Sequence, residues 1–294
     1  MSFQALGIIP ALVTPLDGDE QIDEAALRRL VNHVIAGGVH GLFAIGSQGE
    51  AYALEPNEKM RVMEIVVDET RGRVPVYAGT GAVTTREAIA LTAMAERMGV
   101  NAVSVLTPYF ISPNADELYD HYTAIAKSTG LPILLYTNPA RTGVPLTPDL
   151  AVRLSRVENI VGIKDSSGDL TLTSEYIRRT PADFAVLAGR DTLIYATLVS
   201  GGKGAIAATA NVVPGLVVEI YNAYQVHNLD RARAAQNRLA PLRLAFEMGT
   251  FPVVIKEALA LMGICSSRAK APVKSLSENK RAELAKILKE LEVL

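Results

Sequence analysis

The sequence predicts an α/β protein built as a (β/α)8 barrel, a TIM barrel, with a C-terminal helical extension, and three observations support this fold class. Short apolar runs alternate with helix-patterned segments over about 220 of the 294 residues. The alternation yields eight strand–helix units of roughly 28 residues, the number that a barrel of about 250 residues contains. The rival fold, a doubly wound sheet, usually carries a glycine-rich phosphate loop, and GTGAVT at residues 79–84 lacks its third spaced glycine.

The predicted strands are near-continuous apolar runs in which polar residues do not alternate with apolar ones. This pattern is typical of strands that are buried on both faces, as they are in a parallel sheet. The eight predicted strands lie at residues 7–15, 41–46, 74–81, 102–108, 132–139, 160–167, 184–189 and 204–211.

The predicted helices begin at residues suited to capping a helix. Asp23, Thr84 and Thr147 stand where helices start, and Pro148 follows at a first helical position. Because no linker rich in Pro, Gly or Ser interrupts the chain, we expect a single domain over residues 1–294, with the barrel in 1–225 and C-terminal helices in 226–294. The main helical segments are predicted at residues 23–36, 55–70, 84–98, 115–128, 230–246, 252–262 and 277–290.

Composition excludes several classes of function. Lys plus Arg number 29 and Asp plus Glu 31, a net charge of −2, so neither nucleic acid nor a membrane surface is an expected partner. Hydrophobic residues make up 49% of the chain, which is ample for a large core. The N-terminal segment has no basic region before its apolar run, and we do not expect a signal peptide.

Cysteine and histidine usage argues against metal sites and disulfides. Cys265 is the single cysteine, which excludes an intrachain disulfide and favours a reducing compartment, so a cytoplasmic location is predicted. The four histidines are scattered without the spacing of a ligand set, so no metal is expected.

Reacting groups in a barrel of this kind sit at the carboxyl ends of the strands, and Lys164 stands at the end of the sixth. A buried lysine has a lowered pKa and can form an imine with a carbonyl substrate. From position alone, a structural ion pair with Asp165 or a neighbouring carboxylate explains Lys164 equally well. Lys256 also follows an apolar run, but its context is helical, and we expect a surface lysine whose stem covers apolar side chains.

Two further strand ends offer polar groups. Tyr136 could exchange protons with an intermediate at the barrel mouth, although a buried tyrosine is more often a core residue. The loop Gly46–Glu50 could present consecutive backbone N–H groups to a carboxylate, although it could also be an ordinary tight turn.

Four motifs give the chain a resemblance to a known family. GSQGE (46–50), YTNPARTG (136–143), IKDSSGD (163–169) and GAIAATAN (204–211) are similar to motifs of the dihydrodipicolinate synthase / N-acetylneuraminate lyase family, in the same order and over nearly the whole chain. The resemblance implies a homotetramer, a dimer of dimers, of (β/α)8 enzymes. Their substrate is pyruvate or a 2-oxo acid that releases it, and they use neither a metal nor a cofactor.

The resemblance also assigns catalytic roles. Lys164 matches the Schiff-base lysine and Tyr136 the catalytic tyrosine of the family. Ser47 matches the loop that holds the pyruvate carboxylate, and it keeps a hydroxyl that can relay protons.

Substrate-binding roles follow in the same way. Gln48 belongs to the carboxylate loop, and Gly189 and Ile206 match backbone positions that line the pocket. Arg141 matches the arginine with which dihydrodipicolinate synthases hold the carboxylate of aspartate semialdehyde. Tyr109, at the end of the fourth strand, completes the set.

Departures from the family pattern bear on the reaction. Synthases usually carry two threonines where Ser47 and Gln48 stand, and their interface tyrosine, which completes a proton relay across a dimer, is Phe110 here. GSQGE and KDSSGD look closer to the aldolases that act on 4-hydroxy-2-oxoglutarate and 2-keto-3-deoxy sugar acids. Arg141 points the other way, towards a synthase.

We therefore expect a Schiff-base-forming, pyruvate-dependent aldolase, a carbon–carbon lyase acting on a 4-hydroxy-2-oxo acid or a 2-keto-3-deoxy sugar acid. The first alternative is 4-hydroxy-tetrahydrodipicolinate synthase, which joins pyruvate to aspartate semialdehyde. A remote alternative is a catalytically silent protein that binds pyruvate, against which the presence of Lys164 and Tyr136 argues.

Overall fold

The computed structural model describes residues 3–294, and all eight predicted strands are present in it. Each strand is shorter than its apolar run, because the last residues of each run leave the sheet and form the loops that follow. The strands are β1 Gly7–Pro10, β2 Leu42–Ala44, β3 Val76–Gly79, β4 Ala102–Leu106, β5 Ile133–Thr137, β6 Ile160–Asp165, β7 Ala185–Ala188 and β8 Gly204–Ala207.

The strands share one sheet in the order β1-β8-β7-β6-β5-β4-β3-β2. Neighbours from β3 to β8 pair in parallel. At the two ends of this order, Ala11 and Phe43 form a parallel bridge just beyond β1 and within β2. This strand order, with a helix after nearly every strand, confirms the predicted (β/α)8 fold class.

The helices follow the predicted pattern, including the three caps. The side chains of Asp23, Thr84 and Thr147 accept hydrogen bonds from backbone N–H groups in the first turns that follow. The helices are α1 Glu24–Ala36, α2 Pro56–Thr70, α3 Thr85–Arg97, α4 Ala115–Lys127, α5 Pro139–Thr142, α6 Pro148–Leu154, α7 Leu170–Arg179, α8 Ile194–Val199, α9 Pro214–Gln225, α10 Leu229–Leu244, α11 Val253–Leu261 and α12 Glu278–Glu290.

Two compact units make up the described chain. Residues 3–7 and 77–206 form one, which we call the Lys164 unit, and residues 8–76 and 207–294 form the other, the Lys256 unit. The C-terminal helices α10 to α12 belong to the second unit. That the chain is a single domain with a boundary at residue 225 stays a prediction.

Each unit has an apolar interior, and polar contacts tie its elements together. In the Lys164 unit, the Tyr122 hydroxyl of α4 donates to the carbonyl of Val105 on β4, 3.2 Å away. In the Lys256 unit, α1 buries an apolar face, and Arg28 on its outer side pairs with Glu69 of α2.

No helix within residues 3–294 combines the length and apolar character needed to cross a membrane.

Close packing of β6 on its neighbours depends on Gly162. A Cβ there would clash with the carbonyl oxygen of Ala185 on β7 and lie 2.9 Å from both the Ala185 Cβ and the Leu134 Cδ2. These atoms belong to paired strands that cannot separate without losing ladder hydrogen bonds. The position therefore accepts no side chain.

We predict that Gly162→Ala lowers the free energy of unfolding by about 1–3 kcal/mol, because an overpacked core must shift its backbone. Gly130→Ala is the matched control, since a Cβ at Gly130 meets nothing within 4 Å. Urea denaturation of both variants measures the difference. Equal stability of the two variants would contradict the packing argument.

Candidate active site

The predicted site lysine is buried at the carboxyl end of β6, beside the predicted tyrosine of β5. Lys164 is 5% exposed and Tyr136 is 4% exposed. The two residues are register partners on adjacent parallel strands, so their side chains leave the sheet on the same face. The Lys164 Nζ lies 4.2 Å from the centroid of the Tyr136 ring, within the range of a cation–π contact.

Asn138 orients the tyrosine. Its Nδ2 donates to the Tyr136 hydroxyl oxygen at 3.1 Å. Sequence reasoning gave Asn138 no role, although a residue two positions further along an extended segment projects to the same face. The phenol beside Lys164 is therefore held by a neighbouring amide.

Asp165, the ion-pair partner considered for Lys164, is satisfied by other groups. One carboxylate oxygen accepts from the Thr173 hydroxyl at 2.6 Å, and the other accepts from the Ser167 N–H at 2.8 Å. Successive residues of a strand project to opposite faces, which separates the two side chains. The carboxylate therefore needs no bond from Lys164.

Gly189 stands where the chain leaves β7, packed against β6. Its N–H donates to the Asp165 carbonyl at 2.7 Å, and a Cβ on it would overlap the Ser166 hydroxyl. Ile206 lies buried in β8. Both belong, like Lys164 and Tyr136, to the Lys164 unit.

The remaining predicted residues of this unit are more exposed. Arg141 lies on the short helix α5 with an exposed side chain. Tyr109 follows β4, and partial burial together with the Glu87 carboxylate raises the pKa of its hydroxyl. Next to it, Phe110 is 97% exposed with a φ of 72°, a left-handed conformation that is uncommon for a bulky residue.

The loop Gly46–Glu50 belongs to the Lys256 unit and forms a tight turn. The N–H groups of Gly49 and Ala51 donate to the Gly46 carbonyl, and that of Glu50 donates to the Ser47 carbonyl. Within residues 3–294, the N–H groups of Ser47 and Gln48 meet no acceptor. Two consecutive unpaired N–H groups suit a carboxylate.

Backbone strain marks both ends of this loop. Ile45 has a φ of 47° and Glu50 a φ of 58°. The left-handed conformation is costly for a β-branched residue such as Ile45 and persists where the surroundings enforce it, often at functional sites.

Gln48 is buried, and neither atom of its side-chain amide has a hydrogen-bond partner among the described residues. It faces a small cavity whose other walls are apolar. Leaving a buried amide unpaired costs free energy, and the apolar cavity walls offer this one no polar partner. The cavity is lined by Gln48, Phe246, Phe251, Pro252, Val254 and Ile255.

The prediction that Lys256 is a surface lysine whose stem covers apolar side chains is wrong. Lys256 is 0% exposed on α11, and its Nζ pairs with the Glu50 carboxylate. Burial lowers the pKa of its amine, and the Glu50 charge acts against that shift. The partner comes from a distant part of the chain, so the local helical pattern gave no sign of burial.

The chain can now be placed among known proteins. A parallel (β/α)8 fold with a buried lysine and tyrosine at adjacent strand ends defines a class of barrel enzymes. Within that class, the sequence profile of the Dihydrodipicolinate synthetase family matches residues 4–291, and the chain belongs to this family.

Within residues 3–294, no three His, Cys, Asp or Glu side chains cluster as a metal site would require.

Relatives cover the whole chain. The 4-hydroxy-tetrahydrodipicolinate synthase of Methanopyrus kandleri is 42% identical over 296 residues, which is 100% of this chain and 99% of the relative. Among solved structures, the dihydrodipicolinate synthase of Acinetobacter baumannii complexed with pyruvate has a TM-score of 0.96 at 36% identity, covering 98% of this chain and 99% of the other. A monomeric dihydrodipicolinate synthase variant also has a TM-score of 0.96, at 32% identity and with 98% and 97% covered.

The support that α7 gives to the end of β6 can be tested with Thr173→Val. The variant keeps the shape of the side chain but removes the hydrogen bond to the buried Asp165 carboxylate. We predict a loss of about 2 kcal/mol in the free energy of unfolding, the usual range for a bond to a charged group. Thr171→Val, on the exposed side of the same helix, is expected to change it by less than about 0.5 kcal/mol. Chemical denaturation that fails to separate the two variants would count against this role.

Proposed function

We propose that the chain is a class I pyruvate-dependent carbon–carbon lyase in which Lys164 forms a Schiff base. The observation that carries this proposal is the buried Lys164 amine 4.2 Å from the ring of Tyr136, whose hydroxyl accepts a hydrogen bond from Asn138. A lysine amine at a strand end of a barrel stands where it can attack a carbonyl carbon and form an imine. A phenol beside it can carry protons to and from the intermediate.

In the reaction, the neutral Lys164 amine attacks the ketone carbon of a 4-hydroxy-2-oxo acid and forms a carbinolamine. Loss of water gives an imine, and its protonated form accepts the electron pair of the C3–C4 bond when that bond breaks. Tyr136 takes the proton of the 4-hydroxyl, an aldehyde leaves, and the remaining enamine is protonated at C3. Hydrolysis then releases pyruvate. Because the iminium ion is the electron sink, the chemistry needs neither a metal nor a cofactor.

The substrate carboxylate is assigned to the loop Gly46–Glu50. The unpaired N–H groups of Ser47 and Gln48 support this assignment, and the Ser47 hydroxyl is proposed to relay protons. Gly189 and Ile206 are proposed to line the pocket through their backbones, and Tyr109 through its hydroxyl.

Two departures from the pattern of the family's synthases, Phe110 and Gln48, favour a 4-hydroxy-2-oxo acid or a 2-keto-3-deoxy sugar acid as the substrate. Phe110 carries no hydroxyl where the family's synthases place a relaying tyrosine, and synthesis of the cyclic product requires more proton transfers than a simple aldol cleavage. Cleavage needs one proton removed from the 4-hydroxyl, which Tyr136 alone can accept.

A second candidate function is 4-hydroxy-tetrahydrodipicolinate synthase, which uses the same imine with aspartate semialdehyde as acceptor. Arg141 supports it, because an exposed guanidinium suits the second carboxylate. The likeness to the Methanopyrus kandleri relative, a 4-hydroxy-tetrahydrodipicolinate synthase, supports it as well. The remote alternative is a catalytically silent pyruvate-binding protein. An assay that detects turnover of any 2-oxo acid would exclude it.

Assembly and location belong to the same proposal. We propose a homotetramer, a dimer of dimers, for which the exposed apolar side chains of Tyr109, Phe110 and Ile111 offer a contact surface. One solved neighbour is a monomeric variant, so the assembly is a question for sedimentation experiments. The cytoplasm is the proposed compartment, in keeping with the single cysteine.

We predict that borohydride reduction in the presence of pyruvate converts the imine into one 1-carboxyethyl group on the Lys164 Nζ. Peptide mass spectrometry locates the adduct. Lys164→Ala is expected to lose both the adduct and turnover while keeping its fold, with Lys203→Ala, in an exposed loop, as the control that keeps both. An adduct on another lysine, or none in the wild type, would overturn the mechanism.

The substrate is decided by comparing kcat/KM for two reactions. We predict a higher kcat/KM for cleavage of 4-hydroxy-2-oxo acids than for condensation of pyruvate with aspartate semialdehyde. A missing general acid–base group costs ~10²–10⁴-fold, and Phe110 lacks the relay hydroxyl. Phe110→Tyr is expected to speed the condensation and leave the cleavage unchanged. If aspartate semialdehyde is the better substrate by about tenfold or more, the synthase is the correct function.

A further inference from the structure

The Lys256 unit contains a buried ion pair outside the proposed reaction, between Glu50 and Lys256. Both side chains are 0% exposed. Besides the Glu50 carboxylate, the Lys256 Nζ contacts the carbonyl oxygen of Arg268, to which it donates at 2.6 Å. The second Glu50 oxygen accepts from the Lys270 N–H at 2.8 Å. The carboxylate is thus held by α11 and by the segment 268–270.

Two buried charges are a weak source of stability, because removing both from water offsets most of their attraction. An apolar pair of similar volume stabilises a fold at least as well. The role of the pair therefore lies in what it holds in place.

What it holds is the last residue of the loop Gly46–Glu50. The Glu50 N–H donates to the Ser47 carbonyl, and Gly49 accepts from the Thr14 hydroxyl at 2.7 Å. The φ of 58° at Glu50 and of 47° at Ile45 shows that both ends of the loop are strained. A strained turn keeps its form only where its surroundings enforce it, and the Glu50 carboxylate is the buried anchor of this one.

We propose that Glu50 and Lys256 are positioning residues for the carboxylate-binding loop: the ion pair fixes Glu50 so that the N–H groups of Ser47 and Gln48 stay aligned for the substrate. This inference rests on the proposed function, because it takes the loop as the carboxylate site. Neither side chain touches the reacting atoms. The ion pair therefore affects binding of the substrate carboxylate. Lys164 and Tyr136 carry out the bond-breaking step.

The test variant is the double substitution Glu50→Gln with Lys256→Met. It removes both charges together, so no unpaired charge stays buried, and the glutamine can still accept from the Lys270 N–H. We expect the pyruvate concentration for half-maximal borohydride trapping to rise about tenfold or more. The KM for the 2-oxo acid substrate is expected to rise with it, while kcat for the same substrate changes by less than about threefold. Hydrogen exchange of the amides at residues 47–50 is expected to accelerate in the native protein.

Glu257→Gln is the matched control. Glu257 is also a buried carboxylate of α11, but it accepts from the Leu276 N–H and pairs with Arg281, away from the loop. The control is expected to keep the wild-type KM and the wild-type exchange at residues 47–50, whatever its thermal stability.

The outcomes separate the two proposals. A double variant that loses stability yet keeps the wild-type trapping curve and loop exchange overturns the positioning role. So does a Glu257→Gln variant with the same rise in KM. If the wild type itself traps no pyruvate on Lys164, the proposed function fails, and the exchange rates alone then decide whether the pair positions the loop.

Discussion

The parallel register between β5 and β6 is the constraint on which the candidate site depends. It makes Tyr136 and Lys164 partners, so that both side chains leave the sheet on one face and meet. A slip of one residue would turn either side chain to the opposite face. Gly162 leaves room for Leu134 of β5 and Ala185 of β7 on either side of β6, and Asp165 is tied to α7 through Thr173. The position of Lys164 beside Tyr136 is thus set by backbone pairing.

Two buried lysines follow similar apolar runs and have different surroundings. Lys164 lies against an aromatic ring, and Lys256 meets a carboxylate and a carbonyl. The ion pair fixes the Lys256 amine against the last residue of the loop Gly46–Glu50. Lys164 stands instead beside the Tyr136 ring at a strand end, the position that the proposed reaction requires.

Local pattern was enough to predict the eight strands, three helix caps and the strand-end position of Lys164, because periodicity and capping act within a few residues. It could not predict that Lys256 is buried, since its partner Glu50 is far away in the sequence. Strand lengths were overestimated because apolar residues continue into the loops. Asn138 was overlooked although it lies only two residues beyond Tyr136, because no motif assigned it a role.

The attachment of Glu50 to Lys256, which also donates to the Arg268 carbonyl, and to the Lys270 N–H has a consequence for the order of synthesis. A nascent chain that has reached β8 already contains Lys164, Tyr136 and the loop Gly46–Glu50. The groups that hold the loop in its strained form are made later, at residues 256–270. Until residue 270 has left the ribosome, the barrel strands can pair while this turn has no anchor, so the final segment completes a loop that was translated among the first fifty residues.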